Sequence, residues 1–147
     1  VQRLHGLDEV PLIDMGDFVG GMLKYLRTHP VAKVTVAGGI GKMVKLAQGM
    51  ADLHSKRGSV DHAFLAEVAE RAGAPPAVIE RVRGANTALE VLEIARETGF
   101  DLGTPIVAAG WRTAAALLGD APIALEVAVF DRQGGLLATT GFRPVGR

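Results

Sequence analysis

The apolar residues of this chain repeat with the period of a helix in some segments and of a strand in others. Between residues 12 and 26 they recur every three or four positions, which predicts an amphipathic helix that ends before Pro30. Residues 32–37 are a short β-branched run that predicts a buried strand. A helix over residues 41–50 should follow it. The expected inward positions of that helix are Met43, Leu46, Ala47 and Met50.

The second half of the chain predicts several helices and then a hairpin. Asp61 and either Asn86 or Thr87 are suited to cap helix N-termini, because their side chains can accept hydrogen bonds from free N–H groups. Alternating apolar residues predict a strand over residues 123–130, and the glycine-containing turn after it predicts an antiparallel return. The expected helices are residues 61–73, 75–84, 87–99 and 105–118, and the return strand is residues 136–140.

These elements together predict an α/β layered domain. It has a small sheet with a Rossmann-like strand–turn–helix core, several helices and a C-terminal β-hairpin. Residues 1–10 lack a comparable pattern and are interpreted as a linker or the end of an earlier domain, which leaves residues 11–147 as the α/β domain. Tyr25 and Trp111 are expected in the core.

Composition narrows the classes of function. The chain of 147 residues is 48% hydrophobic, has a formal net charge of zero and contains no cysteine, which excludes disulfides, thiolate metal sites and cysteine nucleophiles. The four histidines are scattered, so no metal site is expected. A balanced charge argues against nucleic acid and anionic membranes as partners. No apolar run approaches the roughly 20 residues that cross a bilayer. With no signal-peptide pattern either, a cytoplasmic protein is expected.

Basic residues are concentrated in one part of the chain. Residues 38–60 carry four lysine or arginine side chains against Asp52 alone. Such a segment beside a glycine turn suits an anionic ligand, and a solvated surface is the alternative.

The glycine turn at residues 38–41 does not match the known phosphate-binding motifs. A phosphate loop needs glycine where Val36 stands and a hydroxyl residue where Met43 stands, and the dinucleotide fingerprint needs glycine at Val44. A phosphate- or nucleotide-binding enzyme is therefore disfavoured. Two interpretations stay open: a tight turn without a ligand, and backbone N–H groups that meet one.

Three stretches in order indicate a family: MGDFVG at residues 15–20, GGIGKMVKLAQG at 38–49 and LHSKRGSVD at 53–61. Together with ANT at 85–87 and VAVFDRQGGLLATT at 127–140, they resemble the cobalt-precorrin-5B C1-methyltransferase family of anaerobic cobalamin biosynthesis. The resemblance covers nearly the whole chain. Because members of that family are about twice this size or more, the chain resembles their C-terminal domain alone.

The resemblance implies methyl transfer from S-adenosylmethionine to C1 of cobalt-precorrin-5B, giving cobalt-precorrin-6A. The implied partners are the cobalt-precorrin substrate and the enzyme's own N-terminal domain, and a homo-oligomer stays open. A non-catalytic docking or ligand-binding domain that needs the N-terminal half is the alternative.

Site residues follow from that reaction. For the methyl donor, the expected contacts are Gly38, Gly39, Gly41 and Asp17. For the substrate carboxylates, they are Lys42, Lys45, Ser55, Lys56 and Arg57. His54 is the candidate catalytic base, and ordering its own loop is its alternative role. For Asp17 and its neighbour Asp14, capping the first helix is the alternative.

Overall fold

In a computed structural model, which describes residues 1–6, 12–14, 16–51 and 60–146, these residues form seven helices and four strands. The helices are α1 (Gln2–His5), α2 (Val19–Thr28), α3 (Ile40–Ala47), α4 (His62–Arg71), α5 (Pro76–Gly84), α6 (Ala88–Thr98) and α7 (Gly103–Leu118). The strands are β1 (Lys33–Gly39), β2 (Ala124–Phe130), β3 (Leu136–Thr139) and β4 (Arg143–Pro144). The predicted α/β class with C-terminal strands is confirmed.

Strand β2 is the centre of the sheet. It pairs in parallel with β1 on one side and antiparallel with β3 and β4 on the other. The parallel register runs from Lys33 opposite Ala124 to Gly39 opposite Phe130. Because the two strands are parallel, their carboxyl ends lie at the same edge of the sheet. Residues that follow β1 and β2 are therefore brought together although they are far apart in sequence.

One face of the sheet carries the main core. Helix α7 packs closely on α3 and β2 at Gly110, where an added Cβ would lie 3.5 Å from both Leu46 and Val127 side-chain atoms. Trp111, one residue on, packs against this core and donates its indole N–H to the Leu125 carbonyl oxygen at 3.0 Å. A residue as small as glycine permits this approach, so α7 excludes water from the sheet.

Two predicted helix N-termini are confirmed by their hydrogen bonds. The Asp61 carboxylate accepts from the N–H groups of Ala63 and Phe64 at 2.9 and 3.1 Å and thus caps α4. Thr87, not Asn86, is the N-cap of α6: its hydroxyl oxygen accepts from the N–H of Glu90 at 3.1 Å. These local hydrogen bonds satisfy donors that have no partner within the helix.

The first predicted helix begins later than its apolar pattern indicates. Helix α2 begins at Val19 with Phe18 as N-cap, so Asp14 and Asp17 precede it and neither holds the N-cap position. The Asp14 carboxylate instead accepts from the N–H of Gly16 at 3.0 Å, and Gly16 has a φ of 53°, a left-handed conformation that ends any regular helix there.

Other differences are local. Tyr25 is exposed and stacks on His29 with ring centroids 4.1 Å apart, so its predicted core position is wrong. It is not on the side of α2 that buries Val19 and Leu23. Helix α1 lies within the segment interpreted as a linker, and the two-residue β4 had no sequence signal. The loop predicted at residues 52–59 is outside the described residues. Of the helices described, none is both long and apolar enough to span a membrane.

Candidate functional site

Two neighbouring cavities open where β1 and β2 end. They share the lining residues Ile40, Gly41, Leu89 and Arg132, which come from the start of α3, from α6 and from the turn after β2. The carboxyl edge of a parallel strand pair is where α/β proteins commonly bind ligands. The position of both cavities therefore marks this edge as the candidate site.

The first cavity, called here the Asn86 cavity, has a volume of about 630 Å³. It lies between the N-termini of α3, α4 and α6, and its polar wall is formed by His62, Asn86, Thr87 and Arg132. Because Thr87 and Glu90 form the cap of α6, the start of that helix is fixed in place. The Asn86 backbone N–H donates to the Glu90 carboxylate at 2.8 Å, and Asn86 is exposed and lines the cavity.

The second cavity, called here the Phe100 cavity, is larger, with a volume of about 820 Å³. Its apolar wall combines α6, the segment leading into α7 and the end of the sheet. The apolar lining residues are Ile40, Leu89, Leu92, Phe100, Leu102, Phe130 and Leu137, among others. Both cavities fall within the usual size range for small-molecule sites, about 300–1,000 Å³.

Gly41 of the glycine turn lies at the floor shared by the two cavities, and Gly39 lines the Phe100 cavity. Strand β1 passes directly into α3, with Gly39 as an N-cap that makes no side-chain cap hydrogen bond. An added Cβ on Gly39 or Gly41 would meet nothing within 4 Å, so a ligand can approach the backbone there. The first N–H groups of α3 point out of the helix without an acceptor on the N-cap side chain. Gly38 differs, since a Cβ there would lie 3.1 Å from Met43 Cε.

The charged groups of the site differ between the cavities. In the Asn86 cavity, Arg132 is the one Lys, Arg, Asp or Glu residue among the described lining residues, whereas the Phe100 cavity adds Arg96 and acids that include Glu93. Arg132 is exposed, and within the described residues its guanidinium makes no ion pair or hydrogen bond. The described residues contain no group of three or more His, Asp or Glu side chains that could hold a metal ion.

His62 adds an unusual polar atom. Its Nδ1 is buried and has no hydrogen-bond partner among the described residues. Buried polar atoms are normally satisfied, so an unpaired one beside a cavity needs an explanation such as a ligand or water.

The structure brings only part of the predicted site together. Gly39 and Gly41 line the cavities, whereas Gly38 lies in the paired strand and packs on α3. Lys42 Nζ lies 3.3 Å from Asp17 Oδ1 and donates to the Gly16 carbonyl oxygen at 3.4 Å.

Asp17, Lys42 and Lys45 are not among the described residues that line either cavity. Lys45 is half-buried on α3, and its side chain is not free. The predicted residues His54, Ser55, Lys56 and Arg57 lie outside the described residues, and their roles stay predictions.

Sequence reasoning missed Arg132, Asn86 and His62 as site residues. The sequence marks Arg132 only as part of a hairpin turn and of the family stretch at 127–140. Its position two residues after the strand would indicate the edge of the sheet once β1 and β2 are taken as parallel. Asn86 is marked as a possible cap and as part of the ANT stretch, not as a site residue.

A fourth missed residue, Glu126, lies inside β2 and is only 3% exposed. Its carboxylate accepts from the hydroxyls of Thr35 and Thr139 at 2.8 Å each and lies 2.5 Å from His5 Nε2. Burial raises the pKa of Glu126, but the hydrogen bonds from Thr35, Thr139 and His5 outweigh it, so that the pKa lies below its usual value. This cluster ties α1 to three positions of the sheet, away from both cavities.

Comparison with known proteins identifies related sequences. The family described as "CbiD, C-terminal domain" matches residues 52–141. A protein of Bradyrhizobium sp. (strain BTAi1) named cobalt-precorrin-5B C(1)-methyltransferase is 56% identical over 137 residues, which are 93% of this chain and 36% of the relative. Proteins of the same name from Brucella anthropi and Brucella abortus are 51% and 50% identical over 93% of the chain and 37% of each relative.

The chain thus spans little more than a third of the length of the curated relatives it matches. No solved structure is significantly similar to it. The family match includes α4, α6 and the turn that carries Arg132, all of which contribute lining residues to the Asn86 cavity. On this match, the chain belongs to the CbiD C-terminal domain family.

Proposed function

We propose that this chain is the C-terminal domain of an S-adenosylmethionine-dependent C-methyltransferase. The proposed reaction is methyl transfer to C1 of cobalt-precorrin-5B, giving cobalt-precorrin-6A in cobalamin biosynthesis, in the cytoplasm. The observation that carries the proposal is the 56% identity, over 93% of the chain, to a relative that bears the name of this enzyme. The two cavities at the carboxyl edge of β1 and β2 support the proposal.

The proposed partner within the enzyme is an N-terminal domain. The relatives are much longer than this chain, so most of each relative lies outside the matched region. In this proposal the cavities are completed by that domain, and a homo-oligomer is a further proposed arrangement.

The glycine turn is the proposed contact for the methyl donor. When bound, S-adenosylmethionine would supply a methyl group on a positively charged sulfur: a carbon nucleophile bonds to the methyl carbon, the carbon–sulfur bond breaks and neutral S-adenosylhomocysteine leaves. Gly39 and Gly41 leave open space at the cavity floor, and the uncapped N–H groups of α3 can donate to the donor's polar oxygens. The apolar wall of the Phe100 cavity would exclude water from the reacting atoms. These features fit such a ligand.

The remaining predicted site residues have other proposed roles. Gly38 would act by allowing the close turn into α3, and Asp17 would act indirectly through Lys42, which it contacts. His54 as the base, and Ser55, Lys56 and Arg57 as substrate contacts, remain parts of the proposal that derive from the family resemblance.

Binding of S-adenosylhomocysteine, measured by isothermal titration calorimetry, tests the proposal with one pair of variants. Gly41→Val places a side chain at the floor of both cavities, and Gly21→Val makes the same change in the first turn of α2. An added Cβ meets nothing within 4 Å at either glycine, and neither has a positive φ, so both variants should fold. We expect the wild-type chain and Gly21→Val to bind, and Gly41→Val to lose most of the affinity.

Equal affinity of the two variants would contradict the glycine turn as the contact. Absence of binding by the wild-type chain would contradict this domain as the location of the donor site. It would favour the alternative of a docking domain that acts only with the rest of the enzyme.

A further inference from the structure

The lining of the Asn86 cavity favours negatively charged groups. Arg132 contributes a full positive charge, and no Asp or Glu is present among the described lining residues. A cation in this cavity would be repelled by the guanidinium, and no carboxylate among the described lining residues would compensate. A purely apolar group would remove water from the guanidinium and offer no hydrogen bond in return, which costs free energy. An anion is the one class of group that gains on both counts.

Three polar side chains of this cavity lack a partner among the described residues. They are the guanidinium of Arg132, the side-chain amide of Asn86 and Nδ1 of His62, the last being buried. A guanidinium presents donors in a planar arrangement that matches the two oxygens of a carboxylate. An amide and an imidazole can each donate one further hydrogen bond. These three side chains together can bind a carboxylate through more hydrogen bonds than a single positive charge could.

Arg132 is held by a rigid turn. The Asp131 carboxylate accepts from the N–H groups of Gln133 at 2.9 Å and Gly135 at 2.6 Å, and the Asp131 N–H donates to the Gly135 carbonyl oxygen at 2.8 Å. These bonds fix the backbone on both sides of Arg132. A side chain presented from a fixed backbone loses less conformational entropy when it binds a ligand.

We infer that the Asn86 cavity is a carboxylate-binding subsite in which Arg132 and Asn86 hold one side-chain carboxylate of the tetrapyrrole substrate. The identity of the ligand rests on the proposed function, whereas the preference for a carboxylate rests on the cavity alone. The methyl donor also carries a carboxylate, but beside an ammonium group. Because no described acid lines this cavity, that ammonium would lack a partner, and the substrate is the better source.

Fluorescence titration with uroporphyrin, a tetrapyrrole that bears acetate and propionate side chains, tests this subsite. The variants are Arg132→Gln, which removes the charge, and Arg132→Lys, which keeps it without the planar pair of donors. The matched control is Arg96→Gln, which removes an exposed arginine that lines only the Phe100 cavity. S-adenosylhomocysteine and methylthioadenosine, which lacks the amino-acid part, are titrated in parallel.

We expect Arg132→Gln to lower the affinity for uroporphyrin by about tenfold to a hundredfold, the effect of losing hydrogen bonds to a charged group. Arg132→Lys should recover part of it, and Arg96→Gln should stay closer to the wild type. In the Arg132 variants, affinity for S-adenosylhomocysteine should fall less than affinity for uroporphyrin. A wild-type chain that binds no S-adenosylhomocysteine, with uroporphyrin binding still dependent on Arg132, would support the subsite and contradict only the proposed donor site.

Other outcomes overturn the subsite. They are an undetectable affinity of the wild-type chain for uroporphyrin, an unchanged affinity in Arg132→Gln, or an equal loss in Arg96→Gln. A loss confined to S-adenosylhomocysteine, with methylthioadenosine unaffected, would assign the carboxylate to the methyl donor and overturn the assignment to the substrate.

Discussion

Replacing Glu126 by glutamine should destabilise the fold, because the three groups around the carboxylate favour its charged form. Thr35 and Thr139 donate to it and His5 lies within hydrogen-bond distance, while the side chain itself is almost fully buried. Hydrogen bonds to a charged group contribute about 1.5–3 kcal/mol, and neutral ones about 0.5–1.5 kcal/mol. Replacing three hydrogen bonds to a charged group by three neutral ones would therefore lower the free energy of unfolding by about 3 kcal/mol, before the effect of burial is included.

Burial acts in the opposite direction, since a neutral amide is less costly to bury than a carboxylate. The pKa of Glu126 is nevertheless lowered, which means that the hydrogen bonds outweigh burial. We therefore expect Glu126→Gln to reduce the free energy of unfolding by about 1–2 kcal/mol at neutral pH. Urea unfolding followed by the fluorescence of Trp111, the single tryptophan of the chain, would measure it. Trp111 is hydrogen-bonded to the residue next to Glu126, so it reports on this strand.

The pH dependence gives an independent check. A carboxyl group whose folded pKa is lowered contributes its stability above the unfolded value of about 4.3 and loses it as the pH falls through the folded value. The difference in the free energy of unfolding between wild type and Glu126→Gln should therefore have its full value at neutral pH and become smaller below about pH 4.3.

Glu67→Gln, an exposed change on α4, is the control and should alter stability by only a few tenths of a kcal/mol, about the value of a surface pair. A wild-type stability in Glu126→Gln at neutral pH would refute the reasoning, and so would a difference that stays constant as the pH falls.

Two further pairs of substitutions test the segment beside the site. Lys42→Ala and Asp17→Ala, combined in a double-mutant cycle of urea unfolding, should show a coupling free energy of about 0.5 kcal/mol. The coupling is small because Lys42 is half-exposed and solvent weakens the ion pair. A coupling of zero would mean that the ion pair does not stabilise this segment. Gly20→Ala should destabilise by about 1–3 kcal/mol in thermal unfolding, since its Cβ would lie 2.9 Å from a backbone oxygen, whereas Gly21→Ala has open space and should stabilise by up to about 1 kcal/mol. Equal effects of the two substitutions on stability would contradict the close approach of α2 to Ala51.

Several elements could be predicted from the sequence because their causes are local. The Asp61 carboxylate, the Thr87 hydroxyl and the glycines that follow α4 and α6 act within a few residues of the helix ends that they set. Helix α2 shows the limit of this reasoning. Its apolar spacing began at Leu12, but the left-handed Gly16 lies between that residue and the helix, and periodicity carries no information about such a turn.

The candidate site was predicted less completely because it depends on distant contacts. The glycine turn was recognised from its own residues, and Gly39 and Gly41 do line the cavities. Lys42 stays a predicted substrate contact, assigned from its charge and the family resemblance; neither signal indicates that its side chain lies against Asp17, 25 positions earlier in the chain. Charge in a sequence specifies the type of partner, not which partner lies within reach.

The sequence by itself therefore determined the family, the order of the helices and strands other than α1 and β4, and the glycine turn, since these depend on motifs and on interactions between near neighbours. Only the tertiary structure decided which residues meet at that turn. Arg132 is brought to Gly41 because β1 and β2 run parallel and end at one edge of the sheet, and Glu126 is satisfied because β1 and β3 flank it. A parallel pair joins strands that are far apart in the chain, so no pattern within either strand encodes which residues meet at their shared edge.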